Sequence, residues 1–226
     1  MSKDGNVILL VGSPRGKKST SLSLGKYLCD KLEEAGLSIQ YGFINRLMMR
    51  KEKQDEFIAM VNDAYLIILS FPLYVDCLPA PVIKAIELLY ENKEKLVNYE
   101  EKKFLAICNC GFPEASQIDL ALEICKNFSK TMNFQWRGGI KLGGGEAIHG
   151  RNIIKMGRMV RHQKQGLDLA ADALLIDKPI PKEAIKLISK PIIPARMYIT
   201  LGNLGWRMRA IKNWNFFNLK NQPYKD

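Results

Sequence analysis

Histidine is scarce in this sequence: His149 and His162 are the only two in 226 residues. Neither stands in a recognisable nucleophile–base–acid constellation, so hydrolysis by a triad is not indicated. Both read as structural or solvent-facing. Long apolar runs are missing as well. The longest uncharged stretch of the first half, Ala64–Val75, has 12 residues and contains Pro72, whereas a membrane-spanning helix needs about 20. Cysteine is sparse and scattered. Cys29, Cys77, Cys108, Cys110 and Cys125 form no C-x-x-C pair and no Cys/His cluster. That spacing indicates neither zinc nor an iron–sulfur cluster, and no metal site is expected. The five read as reduced thiols, mostly in the core. At the N-terminus, Lys3 and Asp4 border only five apolar residues, Val7–Val11, with no small-residue cleavage site after them. This is no signal peptide, and the expected compartment is the cytosol (cytoplasmic).

What is present is a globular composition. Apolar residues make up 47% and charged residues 25%, close to the average for folded domains. Extensive disorder, a collagen-like chain and a disulfide scaffold are thereby excluded, and a chain this long can bury a core without covalent staples. The net charge of +11 is unevenly placed. Residues 1–150 hold 19 Lys and Arg against 18 Asp and Glu, while residues 151–226 hold 15 against 5. The basic excess belongs to the last third, so two regions with different jobs are expected.

Short apolar runs alternate with helix-period segments over the first 145 residues. Val7–Val11, Ala64–Phe71 and Phe104–Cys108 are continuous apolar runs, as strands covered on both faces should be. Ile39–Ile44 alternates like a half-covered strand, and Ile140–Leu142 runs into Gly143-Gly144-Gly145. Between them, Ser19–Ala35 carries Leu24, Leu28 and Leu32 at helical spacing. Glu52–Asn62 reads as a short helix; Ala80–Leu96 carries Val82, Ile86 and Leu89, and Ala115–Met132 carries Ala121, Cys125, Phe128 and Met132. Strand–helix alternation predicts an α/β fold: a parallel sheet with helices on both faces. Residues 1–177 are expected to form this domain, with Asn152–Asp177 as a closing helix interrupted by Gly157 and Gly166. Residues 178–226, punctuated by Pro179, Pro181, Pro191 and Pro194 and ending with Trp206, Trp214, Phe216 and Phe217 among cations, read as a basic, aromatic C-terminal extension.

The first strand ends in Gly12-Ser13-Pro14-Arg15-Gly16-Lys17-Lys18-Ser19-Thr20-Ser21, and a helix begins there. In an open parallel sheet, ligands sit beyond the C-terminal strand ends. A helix N-terminus offers free N–H groups and a dipole that favour an anion. Ser13, Ser19, Thr20 and Ser21 add hydroxyls and Arg15 a charged donor. The segment is suited to a phosphate; the plainer alternative is an N-cap serine with a solvated basic loop. The nucleotide P-loop pattern fails by register, because three residues separate Gly12 from Gly16 and Lys18 intervenes before Ser19, and G-x-G-x-x-G is absent.

The third strand runs into Ser70-Phe71-Pro72-Leu73-Tyr74-Val75-Asp76-Cys77-Leu78-Pro79-Ala80-Pro81. Prolines stiffen this loop, so its backbone amides can be aimed at ring heteroatoms. Asn109-Cys110-Gly111-Phe112-Pro113 follows the fourth strand, and the glycine triplet containing Gly144 follows the fifth, where missing side chains permit close approach. All four loops open on one edge. A phosphate cradle beside a rigid aromatic wall suits a flat phosphorylated cofactor. Tyr74 is read either as flanking that ring or as a strand-end aromatic packed on a helix.

Gly12-Ser13-Pro14-Arg15 followed by Ser19-Thr20-Ser21, together with Pro72-Leu73-Tyr74 and Leu78-Pro79-Ala80, resembles the NADPH-dependent FMN reductase family of flavodoxin-like NAD(P)H oxidoreductases. The likeness covers roughly residues 5–150. It implies a flavodoxin-like, doubly wound sheet of five parallel strands in the order 2-1-3-4-5. It implies FMN phosphate at the Ser13–Ser21 loop (Ser13, Arg15, Ser19, Thr20, Ser21) and the isoalloxazine against Pro72, Leu73, Tyr74, Val75 and Asp76, with Asn109, Cys110, Gly111 and Gly144 nearby. Backbone N–H groups near Tyr74–Asp76 would meet N5 and O4, and those of Asn109–Gly111 would approach N1 and O2. NADPH or NADH would be the reductant and a homodimer the assembly. Some relatives carry a compact cysteine motif for an iron–sulfur cluster, which this chain lacks, and the basic extension lies outside the common core.

The implied function is an FMN-dependent NAD(P)H oxidoreductase passing electrons to a quinone, a flavin or another small acceptor. Hydride transfer at flavin N5 needs no side-chain acid or base, so no catalytic side chain is expected. Two alternatives stay open: an electron-carrier flavoprotein reduced by a protein partner, and a flavodoxin-like binding module whose basic tail docks an anionic surface. Contact of that tail with nucleic acid or membrane is a lesser expectation than contact with a subunit or the active site.

Overall fold

Five strands pair side by side in a computed structural model that describes residues 5–219 and 221. β1 (Asn6–Val11) leads through a turn into α1 (Thr20–Glu34), and β2 (Ser38–Phe43) into a short α2 (Ile44–Leu47) and α3 (Lys51–Asp63). β3 (Leu66–Pro72) is followed by α4 (Ala80–Glu91), β4 (Lys103–Asn109) by α5 (Asp119–Thr131), and β5 (Gln135–Leu142) closes the sheet. Every pairing is parallel and the order is β2-β1-β3-β4-β5. This is the flavodoxin-like order, as the resemblance implies.

The two-residue period of a strand sorts its side chains to opposite faces. Ile8 and Leu10 of β1 join Ile67, Leu69, Phe104 and Ala106 beneath α3, α4 and α5. Val7, Leu9 and Val11 join Ile68, Leu105 and Ile107 beneath α1. The predicted stripe Leu24, Leu28 and Leu32 is fully buried there, each leucine contributing about 1.5–3 kcal/mol. Gly25 lets α1 lie close to the sheet, since a Cβ on it would stand 2.5 Å from the Leu9 side chain.

Some boundaries differ from the sequence reading. α4 stops at Glu91 rather than running to Leu96, because the Asn92 side chain bonds back to the Leu88 carbonyl (2.8 Å). The expected helix 152–177 is two pieces: a 3-10 segment, Ile153–Val160, broken at Gly157 (φ +58), and α6 (Arg161–Leu175). Gly166 has a packing reason. A Cβ there would meet the Ala184 carbonyl at 2.7 Å on α7 (Lys182–Ile188).

α7 packs on α6 and beside β5, where Ile180 N–H donates to the Arg137 carbonyl (2.7 Å) and Ser189 Oγ to Lys141 (3.2 Å). The unit holding the sheet therefore runs to Ile192, beyond the 177/178 boundary read from charge and proline. The described residues from Ile193 onward form a second unit, chiefly α8 (Ala195–Lys212). Among the described residues no helix is long and apolar enough to cross a membrane.

Candidate functional site

The loops after β1, β3, β4 and β5 meet in one cleft at the C-terminal edge of the sheet. The first loop supplies Ser13, Arg15, Ser19, Thr20 and Ser21 to its lining, and the β3 loop Pro72, Leu73 and Tyr74. Asn109, Cys110 and Gly111 come from β4 and the turn after it, and Gly145 and Glu146 from the loop after β5. Of the predicted site residues, Val75, Asp76 and Gly144 lie outside this lining.

Backbone geometry builds the first loop. Gly12 passes against β3 and α4, where a Cβ would stand 2.3 Å from Val82 Cγ2. Ser13 then turns the chain: its Oγ accepts from Arg15 N–H (3.3 Å) and its carbonyl from Gly16 N–H (3.0 Å). Ser19 caps α1, accepting from Leu22 N–H (3.1 Å). From behind, Gly150 (φ +71) backs the loop; a Cβ there would lie 2.3 Å from the Lys18 carbonyl oxygen.

The serine-rich turn offers an anion fewer hydroxyls than its sequence suggests. Ser19 Oγ donates to Gly16 O (2.7 Å), Thr20 Oγ1 to Gly145 O (3.0 Å) and Ser21 Oγ to Asn109 Oδ1 (3.0 Å). These protons fasten the loop to the rest of the edge. The groups left for an anion are the N–H groups of Thr20 and Ser21, the Ser13 hydroxyl proton and the Arg15 guanidinium. Among the described residues, neither N–H meets a protein acceptor, as expected in the first turn of a helix. A doubly charged phosphate fits such a donor set.

The opposite wall is stiff. Leu73 N–H donates to the Asn109 carbonyl (2.8 Å), joining the β3 and β4 loops. Tyr74 and Cys77 exchange two backbone bonds (2.9 and 3.0 Å) around Val75 and Asp76. Both turn residues are left-handed (φ +48 and +57), a conformation unusual for a β-branched side chain. Val75 stands 97% exposed at the tip. Among the described residues, the N–H groups of Val75 and Asp76 have no protein acceptor. Tyr74 is half exposed at the cleft rather than buried on a helix.

Gly144 serves the turn, being left-handed (φ +64), while Gly145 faces the cleft. Gly143 is required by the protein's own chain, since a Cβ there would stand 2.4 Å from the Pro113 carbonyl. The Cys110 thiol is pushed up by burial and contacts the Phe112 carbonyl (3.4 Å). It is a buried thiol at the floor of the cleft, not a thiolate nucleophile.

At the rim, Glu146 escaped the sequence reading, and His149, read as structural or solvent-facing, is exposed beside it. Glu146 bonds Arg15 (3.2 Å), and exposed His149 bonds Glu146 (2.8 Å) and approaches Arg15 (3.4 Å). The glycine triplet pointed to their loop, but nothing in the sequence pairs positions 131 residues apart. His162, on α6, does not line the cleft. Among the described residues, no His/Cys/Asp/Glu group could hold a metal ion.

No protein-family model matches the chain, and no curated protein matches it. Solved structures do. An FMN-dependent NADH-azoreductase from Bacillus anthracis, in complex with FMN, superposes with a TM-score of 0.55 at 11% identity, covering 75% of this chain and 99% of that one. An NADH:FMN oxidoreductase in its apo form gives 0.53 at 13%, covering 84% and 96%. A Trp repressor binding protein from Bacillus subtilis gives 0.52 at 12%, covering 73% and 95%. At such identity the shared property is architecture: the chain has the flavodoxin-like fold.

Proposed function

We propose that this protein is an FMN-dependent NAD(P)H oxidoreductase that passes electrons to a quinone, a flavin or another small acceptor. The observation that carries the reading is a single cleft joining free anion-binding donors at the start of α1 to a proline-braced wall and a glycine-lined floor. Two of the similar structures, named as an FMN-dependent NADH-azoreductase and an NADH:FMN oxidoreductase, support it. A homodimer goes with the reading on the strength of the family resemblance.

In this reading the N–H groups of Thr20 and Ser21, the Ser13 hydroxyl and Arg15 hold the phosphate. Pro72, Leu73 and Tyr74 support one side of the ring. The unpartnered N–H groups of Val75 and Asp76 serve its N5 and O4 edge. Asn109 and Gly111 serve the N1 and O2 edge, where donors stabilise negative charge on the reduced ring; the Cys110 N–H, expected there too, is instead spent on the Leu142 carbonyl (3.0 Å). Ser19 and Gly144 act by holding their turns. The flavin, when bound, supplies the redox chemistry, accepting a hydride from a reduced pyridine nucleotide and handing two electrons to the acceptor. The protein's part is to bind, orient and exclude water.

The test is an absorption spectrum of the purified protein after addition of FMN and gel filtration, repeated anaerobically with each reduced nucleotide. Retained flavin that bleaches on mixing is the expected result. A protein that stays colourless overturns the reading. Retained flavin reduced by neither nucleotide replaces it with a carrier reduced by a protein partner.

A further inference from the structure

The loop that faces the cleft has a second side. Between Ser13–Lys18 and the corner where β2 enters α2 lies another pocket, sharing Ser13 and Arg15 with the cleft. Arg15, Lys17, Lys18 and Arg46 line it, and no acidic residue does. Among the described residues, Lys17, Lys18 and Arg46 form no ion pair, although acidic partners take up many other lysines of this unit. Like charges gathered without a counter-charge repel one another. An arrangement of this kind is relieved when an anion enters.

Two further features specify more than a bare anion. Phe43 lines the pocket, with the Arg46 guanidinium 5.8 Å from its ring centroid. An aromatic ring and a guanidinium plane are surfaces on which a heterocyclic base stacks. Asn45, also in the lining, has a carboxamide oxygen that is buried and meets no donor among the described residues. A buried acceptor of this kind costs free energy until a donor arrives. A ribose hydroxyl or an exocyclic amine supplies one.

We infer that this pocket binds the adenosine 2′-phosphate end of NADPH and makes the protein select NADPH over NADH. The inference rests on the oxidoreductase reading and deepens it. The phosphomonoester meets Arg46, Lys17 and Lys18; the base lies on Phe43; a ribose or base donor satisfies Asn45. Arg15 stands between the two sites, so one loop carries the flavin phosphate on its inner side and the reductant phosphate on its outer side. NADH lacks the group that the cations address, and a site built for a charged group discriminates strongly against the ligand without it.

The experiment has two arms. In the first, 2′,5′-ADP and 5′-AMP are titrated calorimetrically into the protein with and without FMN. The expected result is binding of 2′,5′-ADP at least tenfold tighter than 5′-AMP, weakened on raising salt. This arm reads the pocket even if the flavin reading fails. In the second, kcat/KM is measured for NADPH and NADH with the flavin-loaded wild type and with Arg46→Ala and Lys17→Ala. The NADPH-to-NADH ratio should exceed ten in the wild type and fall at least tenfold in Arg46→Ala, with partial recovery in Arg46→Lys. Equal binding of the two nucleotides, or a ratio that Arg46→Ala leaves unmoved, overturns the inference. So does uptake of a second equivalent of FMN in place of 2′,5′-ADP.

Discussion

Ser21 Oγ donates to Asn109 Oδ1 across 3.0 Å, tying the first turn of α1 to the last residue of β4. The Ser70 hydroxyl adds a second tie, donating to the Ser21 carbonyl (2.7 Å). Both ends of the Ser21–Asn109 bond are buried, and both residues line the cleft. Ser21→Ala leaves the Asn109 oxygen without its donor, at a cost of about 1–3 kcal/mol. The urea midpoint of the apoprotein should fall accordingly. FMN affinity should drop about tenfold, or about 1.4 kcal/mol, in a fluorescence-quenching titration. Unchanged affinity would separate this bond from the site.

Arg15 is shared between Glu146 and whatever anion enters the cleft. Both side chains are well exposed, so the ion pair contributes only about 0–1 kcal/mol to folding. Its carboxylate nevertheless sits at the rim of a site proposed for a dianion. Repulsion at about 4 Å is on the order of 1 kcal/mol even under water-like screening. Glu146→Gln should therefore tighten FMN several-fold at low salt, and the gain should shrink as salt is added. Arg15→Ala should weaken FMN about tenfold. A Glu146→Gln protein that binds FMN no better at low ionic strength would contradict this balance.

Two glycines offer a matched pair of probes. A Cβ on Gly150 would collide with the Lys18 carbonyl at 2.3 Å, in a left-handed backbone that alanine disfavours. The obstacle is backbone and cannot rotate away, so Gly150→Ala should cost about 2 kcal/mol or more and displace the loop, lowering both stability and FMN affinity. Gly111 lines the cleft, yet a Cβ there meets nothing within 4 Å. Gly111→Ala should keep the melting temperature and still weaken FMN, because the added methyl enters the space assigned to the ring. Equal losses of stability and affinity at the two positions would remove Gly111 from the binding surface.

The sheet was legible because its signals are local. Leu24, Leu28 and Leu32 advertise a covered helix face, and Ser19 stands where an N-cap should stand. The cleft was legible to the extent that it follows strand ends: Ser13, Arg15, Ser19 to Ser21, Pro72 to Tyr74 and Asn109 to Gly111 all line it. What stayed hidden depends on contacts between distant segments. No pattern in Ser19-Thr20-Ser21 announces that its hydroxyls are spent on Gly16, Gly145 and Asn109. Glu146 and His149 sit in an aperiodic loop and gain their significance only beside Arg15. Residues 178–192 read as extension because prolines mark turns without saying what the next helix packs on; α7 packs on α6 and beside β5.

At the opposite edge of the sheet one carboxylate gathers two cations. Asp177, left-handed (φ +61) just beyond α6, takes Lys103 of β4 and Arg137 of β5 on one carboxylate oxygen, each at 2.5 Å. Burial raises its pKa, but the hydrogen bond from Lys103 and the charges of Arg137 and Lys103 outweigh that and hold it below the ordinary 3.8. A carboxylate depressed in the folded state stabilises the fold above its unfolded pKa, and the gain is lost as pH falls through the folded one. Asp177 is half exposed, so water screens the pair. The guanidinium of Arg137 is buried, however, and its Nε already lacks a partner among the described residues. Asp177→Asn should therefore cost about 1–2 kcal/mol near neutral pH. The gap from wild type should stay constant down to about pH 5 and close below about pH 4. Urea denaturation across that range measures it. A gap independent of pH would mean that the loss does not come from the Asp177 charge.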